Sequence, residues 1–414
     1  MASSRSLDII VLGATGYTGK CCAEHIAQNL PTTLKWGIAG RSAQKLEALA
    51  SELKRDGPDR KDPEILPVQL NDDELGSLVR KTKVLINCVG PYHKYSTPVV
   101  KACANNGTHY LDVTGEIPWV QEMIDKYDET AKRTGAIMIP TDGFESAPSD
   151  LVTWSMAKSI NAQFGVKVKE VILSLYELKG AGISGGTAAS ILAAFENLTF
   201  KEFRAMNDPY RLSVSRPSTV PSTPLLRRLF GVHYVRDIGT VTTTLPASCD
   251  SAIVHRSSSL MPDLYDQNFH FQEFGKARNV FMGLVVHFCI ILAAICLMIP
   301  PIRLLVKRFL PDPGQGPAKE DTVGDYVEYR GVATAEHAEP GKKPIRVLGR
   351  LAYQGPAYPM TGMLIAEAAM VLITSERVGK DLKGGYLTPA ILGDEYVARL
   401  EKCGVSIETK VLED

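Results

Sequence analysis

Twelve residues near the amino terminus, Asp-Ile-Ile-Val-Leu-Gly-Ala-Thr-Gly-Tyr-Thr-Gly at 8–19, carry glycines at Gly13, Gly16 and Gly19 directly behind an apolar β-type run. That spacing is the strand, tight turn and helix start that hold a dinucleotide pyrophosphate. A bare helix terminus offers unpaired N–H groups and a partial positive charge, so it attracts phosphate without a basic side chain. Gly13 allows the turn, Gly16 lets the backbone approach phosphate, and Gly19 lets the helix lie close on the sheet. Farther on, the chain reads Ala39-Gly40-Arg41-Ser42 where an NAD-specific site places a carboxylate for the adenosine ribose. A guanidinium and a hydroxyl suit a 2′-phosphate instead, so Arg41 and Ser42 point to NADP(H) rather than NAD(H). The alternative, that Arg41 is only a solvated residue, sits poorly with a cation at a helix start.

Three further polar clusters have types suited to proton chemistry. Asn87-Cys88-Val89-Gly90-Pro91-Tyr92-His93-Lys94-Tyr95 follows a strand-like run. Gly90 and Pro91 let backbone pass close to a nicotinamide, and Tyr92 or Tyr95 could donate a proton or polarise a carbonyl. Asp112, Thr114 and Glu116 follow the next strand, and Thr141 to Asp150 the one after. The plainer reading is that Asp112 braces a turn and that Ser149 or Asp150 caps the helix beginning near Leu151.

Short connections join the elements that position these groups. Strands are expected at Leu34–Ala39, Ile65–Leu70, Lys83–Cys88, His109–Val113 and Ala136–Pro140. Helices are expected at Ala43–Arg55, Thr97–Asn106 and Ile117–Thr134, the second stopping at Gly107. Apolar runs without alternation fit a parallel sheet buried on both faces, with ligand at the strands' carboxyl ends. The expectation is an α/β fold: residues 1–150 form a Rossmann doubly wound sheet, and 151–414 a second α+β domain with a mixed sheet. The carboxyl-terminal part is expected to pack back on the first domain.

The chain has 414 residues, is 45% hydrophobic, and balances 46 basic against 46 acidic side chains, so no net field favours nucleic acid. Its start leaves no room for a secretory signal, and eight scattered cysteines fit reduced thiols better than a zinc site. The sequons at Asn106 and Asn197 are then chance matches.

In the second half, Val168–Leu178 reads as a strand, Gly180–Gly186 as a flexible loop and Thr187–Phe200 as a helix. Residues 207–225 are rich in Pro, Ser and Thr, with Arg204, Arg211, Arg216, Arg227 and Arg228 in or near them. They form either a solvated loop or a groove for a phosphorylated carrier or coenzyme A tail. Val280–Ile299 has no formal charge, and Lys276, Arg278, Arg303, Lys307 and Arg308 flank it. About 20 helical residues can cross a bilayer core, but a span would separate residues 301–414 from the nucleotide domain. A helix lying on a lipid surface is therefore favoured over a buried core helix or a single span.

Taken in order, these motifs resemble the saccharopine dehydrogenase-like oxidoreductase family, including its trans-acting enoyl reductase branch. The likeness rests on Gly13-Ala14-Thr15-Gly16-Tyr17-Thr18-Gly19, Ala39-Gly40-Arg41-Ser42, Val89-Gly90-Pro91-Tyr92 with Tyr95, and Asp112-Val113-Thr114-Gly115-Glu116. It continues through Gly143 to Asp150, Ser184-Gly185-Gly186-Thr187, Pro313 to Pro317 and Leu387 to Ala390. Glu145 stands where relatives usually have Asp, and Ser96 where they often have Gly. The resemblance implies NADP(H), with Thr15 and Tyr17 in the binding turn. The leading expectation is NADPH-dependent reduction of a lipid-like or carrier-bound acyl substrate, an enoyl thioester. A saccharopine-type carbon–nitrogen oxidoreductase, or a non-catalytic NADP-binding protein of a lipid surface, remains open. So does a homodimer. The expected location is the cytosolic side of a membrane or a lipid droplet, with a soluble cytoplasmic protein as the alternative.

Overall fold

The computed structural model describes residues 5–56, 60–180, 182–196, 207–312, 314–336, 339 and 341–413. In its first part, strand β1 (Leu7–Leu12) is followed by α1 (Tyr17–Asn29), β2 (Trp36–Gly40), α2 (Ala43–Asp56), β3 (Glu64–Pro67), α3 (Asp72–Lys81) and β4 (Thr82–Asn87). Then come the single-turn helix α4 (Tyr92–Tyr95), α5 (Thr97–Asn106), β5 (His109–Asp112), α6 (Ile117–Thr134), β6 (Ile137–Ile139) and α7 (Ala147–Phe164). The second part has β7 (Val168–Lys179), α8 (Gly185–Glu196), α9 (Leu225–Phe230), β8 (His233–Val235), β9 (Gly239–Thr242), α10 (Ala247–Leu260) and β10 (Tyr265–Lys276). It closes with α11 (Val280–Met298), α12 (Pro300–Lys307), β11 (Tyr326–Ala335), β12 (Ile345–Gln354), α13 (Ala357–Thr374), β13 (Gly385–Tyr386), α14 (Asp394–Lys402) and β14 (Val405–Val411).

The molecule is α/β with two sheets. The first is parallel, with order β13-β6-β5-β4-β1-β2-β3. Register aligns Leu12 with Ala39 and Asn87, and Asn87 with Asp112, so four chains leave the sheet at one level. This is why Gly13, Arg41, Gly90 and Thr114 gather along one edge of the sheet. The strands are apolar because helices cover both faces: β1 and β2 are almost wholly buried. Helices α5, α6 and α7 all stop at a left-handed glycine: Gly107, Gly135 and Gly165. α3, unread in the sequence, starts with Asn71 accepting from Glu74 N at 3.0 Å, while Glu74 accepts in return from Asn71 Nδ2 at 2.8 Å.

The second sheet is mixed, ordered β14-β12-β11-β7-β10-β9-β8, with β10 parallel to β7 and β11 antiparallel to it. α7 packs on the second sheet, against β7, β11, β12 and β14, and one continuous core joins Ile9 and Val11 to Val171, Leu173 and Tyr329. Residues 357–402 belong with the first sheet as much as the second. β13 pairs in parallel with β6, and α13 is almost entirely buried beside α1 and β4.

The apolar segment forms α11, of which only Gly283 and His287 are buried. It is therefore not a core helix. His287 bonds Thr243 Oγ1 at 2.7 Å and the Leu229 carbonyl at 3.2 Å, and Thr242 donates to the Gly283 carbonyl at 2.7 Å. These contacts fix α11 along one face. A single span does not fit either, since β10 before it and β11 after it both pair with β7. Among the described residues a return crossing is also lacking: α12 has 8 residues, about 12 Å of helix, and the Gln315 carbonyl already accepts from Gly185 N at 2.9 Å.

The expected helix over Thr187–Phe200 begins two residues earlier, at Gly185. Its last four residues, the sequon at Asn197, Arg204 and Pro313 lie outside the described residues. The loop over 207–225 is pinned rather than open. Tyr210 OH meets His270 Nδ1 at 3.0 Å, Arg216 pairs with Asp208, and Arg227 bonds Gln272 at 3.0 Å. Arg216 and Arg227 thus face different partners.

Candidate active site

The glycine turn is built for close backbone approach. Gly13 has φ +81°, and a Cβ there would come 2.9 Å from Val89 Cγ2. A Cβ on Gly19 would lie 2.2 Å from the Gly13 carbonyl oxygen, so any side chain at 19 pushes α1 off its turn. Gly16 begins the helix with φ −78° and ψ 163°, no side chain caps it, and no acid stands in the first turn. The first N–H groups of α1 therefore keep their hydrogen bonds and dipole for a bound anion, which fits a pyrophosphate. Thr15 sits beside the end of β2, its Oγ1 3.9 Å from where a Cβ on Gly40 would be. Arg41 is exposed and makes no ion pair among the described residues, and Ser42 Oγ accepts from Lys45 N at 3.4 Å. Tyr17 turns the other way: its hydroxyl donates to the Pro317 carbonyl at 2.7 Å and its ring meets Tyr358 edge-on at 5.1 Å. Tyr358 OH also takes the Ser184 N–H at 2.7 Å and lies 2.9 Å from Thr187 Oγ1. The two tyrosines thus strap residues 314–317 and the start of α8 across the first turn of α1.

At the end of β4 the Gly90–Pro91 bond is cis. A Cβ on Gly90 would be 3.5 Å from Ser190 Oγ, so α8 lies over this stretch. The two candidate tyrosines part company here. Tyr92 is buried, its hydroxyl donating to the Asn87 carbonyl at 3.1 Å and its ring 5.7 Å from Trp119. Burial lifts its pKa well above the ordinary phenol value. Tyr95 is 46% exposed, so its hydroxyl is the one open to a ligand. Glu116 caps α4, accepting from Tyr92 N at 2.8 Å and His93 N at 3.0 Å and pairing with His93 Nδ1.

Asp112 braces its turn. It accepts from Tyr110 OH at 2.7 Å, Thr114 N at 3.0 Å and Thr141 N at 2.9 Å, while burial pushes its carboxyl up to about 6. Those bonds hold Thr141 at φ +60°, a strained value for a β-branched residue. Phe144 N donates to Thr361 Oγ1 at 3.2 Å. Glu145 is exposed beside Gly115, its Oε2 2.6 Å from where a Cβ on Gly115 would stand. Although the residue as a whole is exposed, desolvation of its carboxylate raises its pKa.

Neither Ser149 nor Asp150 caps α7; its N-cap position is Ser146, without a side-chain bond. Asp150 instead accepts from Ala390 N at 2.8 Å, fastening the carboxyl-terminal part, and burial lifts it to about 7. Ser149 Oγ lies 2.8 Å from Glu273 Oε2 and 3.3 Å from Asp250 Oδ2, and Ser146 Oγ lies 3.3 Å from Cys249 Sγ. Asp250, Glu273 and Cys249 escaped the sequence reading, being more than a hundred residues from the turn they touch. One signal was present: in β10, Glu273 follows Phe269 and Phe271 on the buried face. A second long-range group joins His25, Glu367 and Cys403, with His25 Nε2 2.9 Å and Cys403 Sγ 3.4 Å from Glu367 Oε1. Arg399 Nε occupies the other Glu367 oxygen at 2.6 Å, so the group reads as an ion-pair network rather than a metal centre.

Residues 9–139 match the saccharopine dehydrogenase NADP binding domain family. A Mycobacterium tuberculosis protein assigned as a trans-acting enoyl reductase is 30% identical, over 99% of this chain and 98% of its own length. The trans-acting enoyl reductase of Mycobacterium leprae is 28% identical, covering 98% of each. Two solved structures share the fold. They are apo saccharopine dehydrogenase (L-Glu forming) of Saccharomyces cerevisiae, at TM-score 0.56 and 12% identity over 98% of this chain and 100% of that one, and homospermidine synthase of Legionella pneumophila, at TM-score 0.51 and 10% identity over 98% and 91%.

Proposed function

Because the chain belongs to the saccharopine dehydrogenase-like oxidoreductases, in the trans-acting enoyl reductase branch, and carries their NAD(P)H-binding domain, we propose that it is an NADPH-dependent reductase of a lipid-like or carrier-bound enoyl thioester. Preference for the phosphorylated coenzyme is carried by Arg41, an exposed guanidinium that makes no ion pair among the described residues, at the end of β2. The main-chain amides of the glycine turn hold the pyrophosphate, and Gly90 and Pro91 give the nicotinamide ring a surface without side chains. When bound, the coenzyme supplies a hydride. Tyr95 polarises the thioester carbonyl with its exposed hydroxyl, while Asp112, Glu116 and Tyr92 hold the loops that place it.

The observation that carries the substrate class is the surface leading to the crevice. α8 lies over Gly90, exposes Ile191 two turns in and follows the exposed Ile183, and packs against α11 and α12. Arg303 of α12 ties them, donating to the Phe195 carbonyl at 3.1 Å. The acids around the turn at 142–150 do not suit a polycarboxylate such as a saccharopine-type adduct, which needs several convergent arginines. NADPH oxidation measured with enoyl coenzyme A esters, against 2-oxo acid and amine pairs, tests the reading. Turnover of the esters is expected. Turnover of the amine pairs alone transfers the protein to carbon–nitrogen chemistry, and coenzyme binding without any turnover makes it a non-catalytic binder.

The same reading places the protein on the cytosolic face of a membrane or a lipid droplet. Supporting it, α11 and α9 expose Phe281, Phe288, Leu292, Ile295, Leu225 and Leu226. From Phe274 to Pro311 there are five Lys or Arg residues and no Asp or Glu, a charge pattern that complements anionic headgroups.

A further inference from the structure

Helix α8 is fastened at both ends beside the loops assigned above to the coenzyme. At its amino end Ser184 N donates to Tyr358 OH at 2.7 Å and Gly185 N to the Gln315 carbonyl at 2.9 Å, and the Tyr358 ring meets Tyr17 of α1. Midway, Ser190 Oγ comes within 3.5 Å of where a Cβ on Gly90 would stand. At its carboxyl end Glu196 pairs with Lys94 of α4 at 3.1 Å, one residue before Tyr95. The same end is also tied to α12. Arg303 Nη1 donates to the Phe195 carbonyl and to the Leu297 carbonyl of α11, each at 3.1 Å. One guanidinium thus closes the last turns of α8 and α11 together, taking carbonyls of the kind that a helix end leaves without partners. Arg303 and Lys307 stand one turn apart on α12, with Leu304 and Leu305 exposed beside them, and neither makes an ion pair among the described residues. The Lys94 bond, and beyond it the charges of Arg303 and Lys307, hold the Glu196 carboxyl below its ordinary range.

We propose that Arg303 and Lys307 bind the phosphate of an anionic lipid headgroup, and that this binding unlatches the carboxyl end of α8 from the nicotinamide loop. The proposal rests on the reductase reading and on the lipid surface described with it, and adds what that surface does to the site. A guanidinium bond to phosphate is charge-assisted and about twice as strong as one to a neutral carbonyl, so Arg303 leaves Phe195 for the headgroup. The exposed pair of Lys94 with Glu196 then holds that end alone, and such pairs contribute little. α8 swings on its amino end, where Tyr358 and Gln315 keep their hold.

With α8 latched, Ser190 packs beside the Gly90–Pro91 surface where the coenzyme ring and the acyl carbon have to meet. With α8 swung out, an acyl chain leaving the lipid reaches that surface directly, and the latch keeps the site covered until lipid is at hand. Exposed Leu304 and Leu305, with the apolar face of α11, commit the site to a lipid rather than to free phosphate. Sinking them into the acyl region brings the two cations to headgroup level.

The test uses the full-length protein loaded with NADPH, with vesicles of phosphatidylcholine alone, with vesicles that also contain phosphatidylglycerol, and with inorganic phosphate in place of vesicles. Loss of one charge-assisted latch moves the equilibrium about tenfold, so amide hydrogen exchange over residues 190–196 should quicken by about that factor on the anionic vesicles only. Residues 185–189 should stay protected. Oxidation of NADPH with a long-chain enoyl coenzyme A ester should rise in step. In Arg303→Met the latch is gone, so exchange and turnover should stand at the raised level without lipid. Lys307→Met keeps the latch and should need a larger share of anionic lipid for half the effect. The wild-type exchange decides the matter if Arg303→Met does not fold. Protein that floats with anionic vesicles while α8 exchanges as before overturns the proposal, as does an Arg303→Met protein that stays latched or still responds to lipid. Inorganic phosphate that frees α8 as well as vesicles do overturns it too, by making the ligand a soluble phosphate. Protein that stays off anionic vesicles overturns the surface reading together with the latch. A wild type that frees α8 on lipid and reduces no ester upholds the latch and overturns the reductase reading instead.

Discussion

At the scale of single residues, Arg41 and the two tyrosines of α4 give the cleanest tests. A charge-assisted bond to a 2′-phosphate contributes about 1.5–3 kcal/mol. Arg41→Ala should therefore weaken NADPH binding roughly ten- to a hundredfold by calorimetric titration and leave NADH binding where it was. Equal losses for both coenzymes would remove Arg41 from the ribose site. Tyr92 and Tyr95 look alike in the sequence but differ in what their hydroxyls do. Tyr92→Phe deletes one buried bond to the Asn87 carbonyl, so the melting temperature should drop by an amount equivalent to about 1 kcal/mol while kcat holds. Tyr95→Phe removes an exposed hydroxyl, so stability should hold while kcat falls about tenfold or more. The opposite pattern would put the substrate on the Trp119 side of α4. Sequence position could bring both tyrosines to the crevice, but it could not say which ring turned inward.

At the scale of elements, legibility followed the packing environment. The parallel strands were readable because burial on both faces makes them continuous apolar runs ended by glycine. The outer strands of the second sheet carry a different pattern. Along β12, buried Val347 and Leu351 alternate with Arg346 and Arg350, and that strand passed unread. β13, with 2 residues, has no pattern to read; it exists only because β6 offers it an edge. α11 was legible as apolar, but its surroundings decided its meaning. Its 19 residues make a helix of about 28 Å that is tethered at both ends to one sheet and held to the body through Gly283 and His287. Wild-type protein should float with vesicles containing anionic lipid, less so with zwitterionic ones or at high salt, and should come off in alkaline carbonate. Leu292→Glu with Ile295→Glu should abolish flotation and leave NADPH affinity intact. A protein that stays off vesicles and runs as a dimer protecting α11 from proteolysis would assign that face to a second copy.

At the scale of the whole molecule, one core joins both sheets, and long-range bonds bring together Ser149 with Glu273, Asp150 with Ala390 and Asp142 with Tyr396. That assembly gathers buried acids around the ends of β5 and β6 and the start of α7, and stability must answer to them. Asp112 titrates at about 6, and Asp142, Asp150 and Glu273 at about 7. Each carboxyl binds its proton more tightly folded than unfolded. Its contribution is complete below the unfolded pKa of about 4 and is lost as pH rises through the folded value. The buried imidazoles act only on the acid side: His109 and His233 are lowered to about 4 and His255 to about 3, so above pH ~6.5 they are neutral in either state. Between pH 6.5 and 8 the carboxyls set most of the slope, and the raised cysteine thiols add to it as they begin to ionise in the unfolded chain, so the coenzyme-free protein should melt several degrees lower at the higher pH. Asp142 isolates one share of that loss, because its Oδ1 accepts from Tyr396 OH at 3.0 Å while its Oδ2 has no partner. Asp142→Asn keeps the tyrosine bond and removes the ionisation. It should raise stability at pH 8 by on the order of 1 kcal/mol or more, raise it less at pH 5, and flatten the decline between. An unchanged slope would mean that Asp142 stays ionised in the fold and that water reaches the crevice floor.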